Sequence, residues 1–232
     1  MNTEHGTMYS KLLELPLFQG ATCDQISQLI EKLPFHFIKF TDGQQIIESG
    51  EAGSHLRFVV SGRVKITATN RVTQVSLSQI ISAPSVIGPD FLFGREPMFP
   101  CDVIADGECG IMQLSKADYV KVIESDQVFL FNILNYLSRN AQKPKLSLLH
   151  LPQNTVAERL AFIVSMLTGK ESSDITFKFR QKDLCLLLGA RRSSLIFALD
   201  DLSQKGIVRY SSSEIKVLDR DPLVSLIHEK VD

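Results

Sequence analysis

The 232-residue chain has little that would tie it to a membrane, a metal or an oxidising compartment. No run of about 18 apolar residues occurs, so no membrane-spanning helix is predicted. The polar start MNTEHGTMYS lacks the apolar stretch of a signal peptide. The expectation is a cytoplasmic chain with no membrane partner. The four cysteines, Cys23, Cys101, Cys109 and Cys185, lie far apart with no CxxC spacing. That argues against a zinc ribbon and a disulfide framework and for buried thiols. The five histidines, His5, His36, His55, His150 and His228, are equally scattered, and no pair has ligand spacing on a helix or hairpin. No metal and no cofactor are assigned. No grouping of nucleophile and base stands out either, so an enzyme is not expected. Charge of neither sign dominates, with a formal net charge of −1. Its distribution is uneven: the segment through Glu124 is acidic, whereas Arg180, Lys182, Arg191 and Arg192 cluster near the C-terminal end.

The most informative stretch runs from Phe179 to Val208. Leu184, Leu187 and Leu188 recur at helical spacing, as do Leu195, Ala198, Leu199 and Leu202, and Gly189 lies between the two sets. This predicts a helix-turn-helix, with Gly189 leaving the first helix in a left-handed conformation that costs a residue without Cβ little. The second helix would begin within Ala190–Ser194, which holds two arginines and two serines. In such motifs the first residues of the second helix reach base edges in a major groove, and the first helix crosses the backbone.

In chain order, Lys11–Leu33 reads as one or two short helices interrupted at Pro16. From Phe35 to Leu114 the pattern changes to short alternating runs, among them Leu56-Arg57-Phe58-Val59-Val60 and Val72 to Leu77, with glycines at the junctions. An antiparallel β domain is predicted. Ser115 and Asp118 make a helix start. Asp126 then opens a long helix in which Leu130, Leu134, Leu137, Ala141, Pro144, Leu148 and Leu151 alternate at spacings of four and three, an a/d seam over roughly three heptads. Two readings of it are open, a helix paired with a second copy or one lying on its own β domain. Pro144 predicts a kink or break. After Pro152, Thr155 and Glu158 form a capping box for a helix to about Gly169. Ile175, Phe177 and Phe179 alternate as a strand, and Ile207–Tyr210 with Ile215–Leu218 form a hairpin around three serines, completing a winged helix-turn-helix.

Two segments resemble the Crp/Fnr superfamily of bacterial transcription regulators. One is the order Asp183-Leu184, Leu188-Gly189, Arg192, Leu199, Leu202 and Gly206-Ile207; the other is the glycine series Asp42-Gly43, Ser49-Gly50, Ser61-Gly62-Arg63-Val64 and Ile87-Gly88. The resemblance covers nearly the whole chain. It implies an α+β protein with an N-terminal antiparallel jelly roll of the cyclic-nucleotide-binding kind in 1–125, a dimerisation helix in 126–151 and a winged helix-turn-helix in 152–232. It favours pairing of the long helix with its twin through Leu130, Leu134, Leu137, Ala141 and Leu148. The implied partners are palindromic double-stranded DNA, a second copy, RNA polymerase and a small-molecule effector. Base readers would be Arg192, Ser193 and Phe197; phosphate contacts would come from Arg180, Gln181, Arg191, Ser194 and Ser212.

Only Arg192 matches the family's base-reading arginines. Arg191 replaces the usual serine cap, and Phe197 stands where a second arginine is common. The family's phosphate cassette carries a glutamate for the ribose and an arginine for the phosphate. This sequence has Ile87-Gly88-Pro89-Asp90 and Phe99-Pro100-Cys101 there, so the effector is not expected to be a cyclic nucleotide. Phe91, Phe99 and Cys101 would line an apolar pocket, or else form a packed turn. The alternative function is a sensory or scaffold protein of the same architecture that no longer reads DNA.

Overall fold

A computed structural model describes residues 12–15, 17–149 and 155–227, the side chains of 143–149 excepted. Pro16, Leu151 and Pro152, and the side chains of Pro144 and Leu148, therefore lie outside the described residues. The described chain packs into two units. One is built from residues up to Lys65 together with Ser82–Ala141, the other from Ile66–Ile81 together with residues from Gln142 onward.

The first unit carries an antiparallel sheet in the order β1 (His36–Phe40), β8 (Cys109–Ser115), β3 (His55–Ser61), β6 (Ser85–Ile87). A second pair joins β2 (Gln45–Ile47) to β7 (Cys101–Ala105). Helices cover one face of the four-stranded sheet. Leu56 and Phe58 of β3 and Met112 and Leu114 of β8 pack in one core with Leu12, Leu15, Phe18, Ile26, Leu29, Tyr119 and Phe129. This corrects the alternating pattern expected for β3. Its burial is continuous from Leu56 to Val59, because the opposite face also points inward, and Arg57 is carried inside with it.

Among the described residues, three longer helices begin in this unit. α1 (Cys23–Lys32) starts at a reciprocal cap, in which Thr22 Oγ1 accepts from the Gln25 N–H and the Gln25 side chain accepts from the Thr22 N–H. α2 (Lys116–Ser125) is capped by Ser115 as its sequence predicts. α3 (Gln127–Leu149) follows, its first turn held by Asp126 Oδ1, which accepts from the Val128 N–H at 2.8 Å. Gln25 Nε2 also donates to Asp126 Oδ2 at 2.7 Å, tying α1 to the start of α3. The expected break at Pro144 does not occur, since α3 stays helical to Leu149. A helical proline removes one ladder bond, and the bonds of the neighbouring turns remain available to carry the helix past it.

The second unit holds α4 (Val156–Leu167), β9 (Ser173–Lys178), α5 (Gln181–Leu187), α6 (Arg192–Gln204), β10 (Val208–Tyr210), β11 (Glu214–Val217) and α7 (Arg220–Ser225). Its sheet runs β10-β11-β9-β5, with β5 at Ser76–Ser82. Leu77 pairs with Phe177 and joins the core formed by Leu160, Val164, Leu184, Leu195, Leu199 and Ile215. The run from Val72 to Leu77 is thus not a single strand as expected. The Asn70 carboxamide accepts from the N–H groups of Val72 and Thr73, at 3.0 Å each, and holds a turn there.

Candidate DNA interface and sensor core

Gly189 has φ +55, the left-handed exit that its position predicts, and Leu184 and Leu188 anchor the preceding helix in the core. Leu187 does not join them. It and Leu186 are exposed, so the buried face of α5 is narrower than its leucine content implies. Leu195, Leu199 and Leu202 fix α6 from below, which leaves its first turn outward. Arg191, Arg192, Ser193 and Ser194 are all exposed. Phe197 is 77% exposed, a large apolar ring with almost no burial by its own chain. Ser193 and Phe197 are four residues apart and so share one face, with Arg192 beside them.

Arg191 is the N-cap residue of α6, and its side chain makes no capping bond. The first-turn N–H groups lack an intrahelical acceptor by geometry. Two guanidinium groups therefore stand at a positive helix end, an arrangement that attracts phosphate. At α5 the situation differs. Arg180 Nε donates to Asp183 Oδ2 at 2.6 Å, and its Nη2 donates to the Thr73 carbonyl at 3.3 Å. Gln181 is half-buried at the first position of α5, and Ser212 is exposed at the tip of the β10–β11 hairpin. Arg159 Nη1 donates to the Gly189 carbonyl at 3.1 Å and braces the turn.

The long helix presents two faces. Phe129 and Ile133 are buried against the first unit's core, and Leu137 packs partly against it. Leu130, Leu134 and Ala141 face outward with Phe131, Leu134 being 51% exposed. The inner face thus lies on its own β domain, and Leu137 sits on that side rather than with the exposed Leu130 and Leu134.

In the first unit, Gly88 has φ +48, and a Cβ placed there would lie 2.7 Å from Phe99 Cε1. The Phe91 and Phe99 rings meet at 5.9 Å between centroids. Phe99 is buried, and Phe91 and Cys101 are half-buried. Burial, with Asp102 adding to it, pushes the Cys101 thiol above its ordinary pKa, and burial does the same at Cys109.

Two family models match successive stretches of the chain. A family model described as "Cyclic nucleotide-binding domain" matches residues 37–126, and one described as "Crp-like helix-turn-helix domain" matches 148–226. The chain belongs to the Crp/Fnr family of transcription regulators. It is similar to the "Cyclic AMP receptor protein" of Thermus thermophilus, with 23% identity across 87% of this chain and 92% of the relative. It is also similar to the "CRP-like cAMP-activated global transcriptional regulator" of Mycobacterium tuberculosis, with 22% identity across 89% and 94%. The fold is similar to that of the solved Thermus thermophilus catabolite activator protein, at TM-score 0.51 and 21% identity over 92% of this chain and 99% of that one.

This Crp/Fnr member is therefore an α+β, DNA-binding transcription regulator with a sensor domain, in a family that is not one of enzymes. Among the described residues, no helix is long and apolar enough to cross a membrane. One feature of the sensor escaped the sequence reading. Arg57 of β3 is only 8% exposed, and its Nη2 meets Glu51 Oε1 at 2.6 Å. Its Nη1 is buried without a hydrogen-bond partner among the described residues. In a strand read as alternating, a charged residue is assigned to solvent, so the sequence offered no signal for it.

Proposed function

We propose that this regulator works as a homodimer which reads a palindromic operator and whose DNA affinity is set by an effector other than a cyclic nucleotide. The domain limits that fit this reading are 1–125 for the sensor, 126–151 for the dimer helix and 152–232 for the reader. The observation that carries it is the N-terminal end of α6, where Arg191, Arg192, Ser193 and Ser194 of the first turn and Phe197 of the second are exposed on a helix seated by buried leucines. Arg192 pairs with a guanine through O6 and N7, Phe197 meets a thymine methyl, and Arg180, Gln181, Arg191, Ser194 and Ser212 hold phosphates. Leu130, Leu134 and Ala141 supply the outer stripe for the twin helix. RNA polymerase is the further partner, and the cytoplasm the compartment.

Two relatives carry cyclic AMP in their names. In this chain Pro89 and Phe99 stand where the family's glutamate and arginine are expected, and both are buried. A cyclic nucleotide placed there would meet no compensating charge from either position. The test is thermal unfolding of the full-length protein with millimolar cyclic AMP or cyclic GMP. At about a hundred times its Kd a ligand stabilises by about 2.7 kcal/mol. No shift is expected, and a clear one overturns the effector part of this reading. Binding to genomic DNA fragments, followed by footprinting, tests the palindrome.

A further inference from the structure

We propose that Arg57 anchors an oxyanion site inside the sensor unit, and that the effector is a small molecule bearing a carboxylate or phosphate. The site rests on the reading of this unit as an effector sensor, and its cation is a residue of β3 paired with Ile87, beside the turn where the family's phosphate cassette falls but not one of the cassette's own positions.

Arg57 pairs across the sheet with Ile87 on β6 and with Gln113 on β8. Directly paired residues of antiparallel strands share a face. The Arg57 side chain therefore stands on the face turned away from the helices that pack on Leu56 and Phe58. A guanidinium cannot shed its charge, and its planar fork is built to donate two parallel bonds to one carboxylate or phosphate. Among the described residues it has one ionic contact, from Nη2 to Glu51, while Nη1 is buried without an acceptor. An ion pair serving structure alone would be expected to satisfy both nitrogens, because a buried N–H without a partner is destabilising. The unpartnered donor belongs to the charged group itself.

Glu51 then acts as a stand-in for that ligand. Its side chain is 34% exposed, against 10% for that of Arg57, so the carboxylate lies towards solvent and the cation lies deeper. An incoming oxyanion competes with Glu51 and gains the idle Nη1 as well. The displacement has a route outward. The Gly50 N–H donates to the Phe99 carbonyl at 2.7 Å, and the Phe99 N–H donates to the Glu51 carbonyl at 2.9 Å. Phe99 in turn packs on Gly88 and Phe91. Release of Glu51 thus acts on the turn at Gly88–Phe91.

The experiment uses the full-length protein, with sodium phosphate and sodium succinate as probes against sodium chloride at equal ionic strength. Thermal unfolding is read for the wild type, Arg57→Met and Glu51→Gln. At saturation an oxyanion raises the wild-type Tm by several degrees above chloride. Arg57→Met abolishes that difference. Glu51→Gln frees the guanidinium from its competitor and lowers the half-saturating concentration by about tenfold. The more effective probe assigns phosphate or carboxylate. Equal responses to chloride and both oxyanions, in wild type and in Glu51→Gln, overturn the site, as does an oxyanion response that survives Arg57→Met. If Arg57→Met does not fold, Glu51→Gln decides alone, and an unchanged midpoint overturns the site. A gel shift with the same probes separates this site from the reading it rests on. Oxyanion binding with unaltered DNA affinity overturns the effector role and leaves the site standing. DNA binding without any oxyanion response overturns the site and leaves the regulator standing.

Discussion

In the second unit Arg191 and Arg192 stand in open solvent at a helix start, while in the first unit Arg57 is enclosed beside Glu51 with one nitrogen idle. The same contrast runs through their neighbours. Phe197 is left bare, whereas Phe91 and Phe99 close on one another and on Gly88. A polyanion such as DNA is met by many replaceable contacts, each strengthened by counterion release, so its partners are best held on the surface. A small effector supplies a single charge, and only a dry, fixed partner makes that contact strong enough to move an equilibrium. The long helix α3 has both kinds of surface, with Phe129 and Ile133 enclosed and Leu130 and Leu134 open.

The largest effect is expected at the open stripe of α3. Leu134→Glu places two unpaired carboxylates near one another in the proposed dimer, and uncompensated burial of charge costs several kcal/mol in addition to the lost apolar contact. Sedimentation should find a monomer at micromolar concentration, and DNA affinity should fall by more than about a hundredfold. A dimer that persists with normal DNA binding would break the distinction between the two faces. On the enclosed side, Ile133→Ala should lower stability in urea by about 2–5 kcal/mol while leaving the dimer intact at low temperature. If instead it dissociates the dimer without lowering stability, the faces have been exchanged.

A smaller effect is expected in the reader. Arg192→Ala should weaken operator binding by about 1–3 kcal/mol and relax the choice of one base in each half-site, with thermal stability unchanged. Selection from a random DNA library reads both. Unaltered base preference would remove Arg192 from the base contacts. The smallest change is expected at Arg180, whose guanidinium already engages Asp183 and the Thr73 carbonyl. Arg180→Ala should weaken specific and non-specific DNA alike and lower the salt slope by about one unit. A loss confined to the operator would contradict a phosphate role.

The reader was legible because its buried residues recur at helical spacing and are local in sequence: Leu184, Leu188, Leu195, Leu199 and Leu202 with a glycine at the turn. The sensor's β character was legible for a similar reason, from short runs between glycines. Arg57 was not, because its burial depends on residues distant in sequence. The layer drawn from Leu12, Leu15, Phe18, Tyr119 and Phe129 occupies the other face of β3 and leaves Arg57 on the interior side. Leu187 misled in the opposite sense, since periodicity counts a leucine as buried whether or not any element stands opposite it. The break allowed for at Pro144 is absent because a long helix loses only one bond there and keeps the rest.

The uncapped start of α6 has a consequence for how the reader behaves before it finds its operator. Arg191 provides no acceptor for the first-turn amides, so in the free protein these groups depend on water and the turn is prone to fray. A backbone phosphate docked between Arg191 and Ser194 would be the acceptor that the chain itself withholds. DNA would then finish the folding of the surface that reads it. Amide hydrogen exchange at Arg192–Leu195 should slow on operator binding far more than exchange at Leu199–Leu202, and part of the protein's binding free energy would be consumed in ordering its own reading edge.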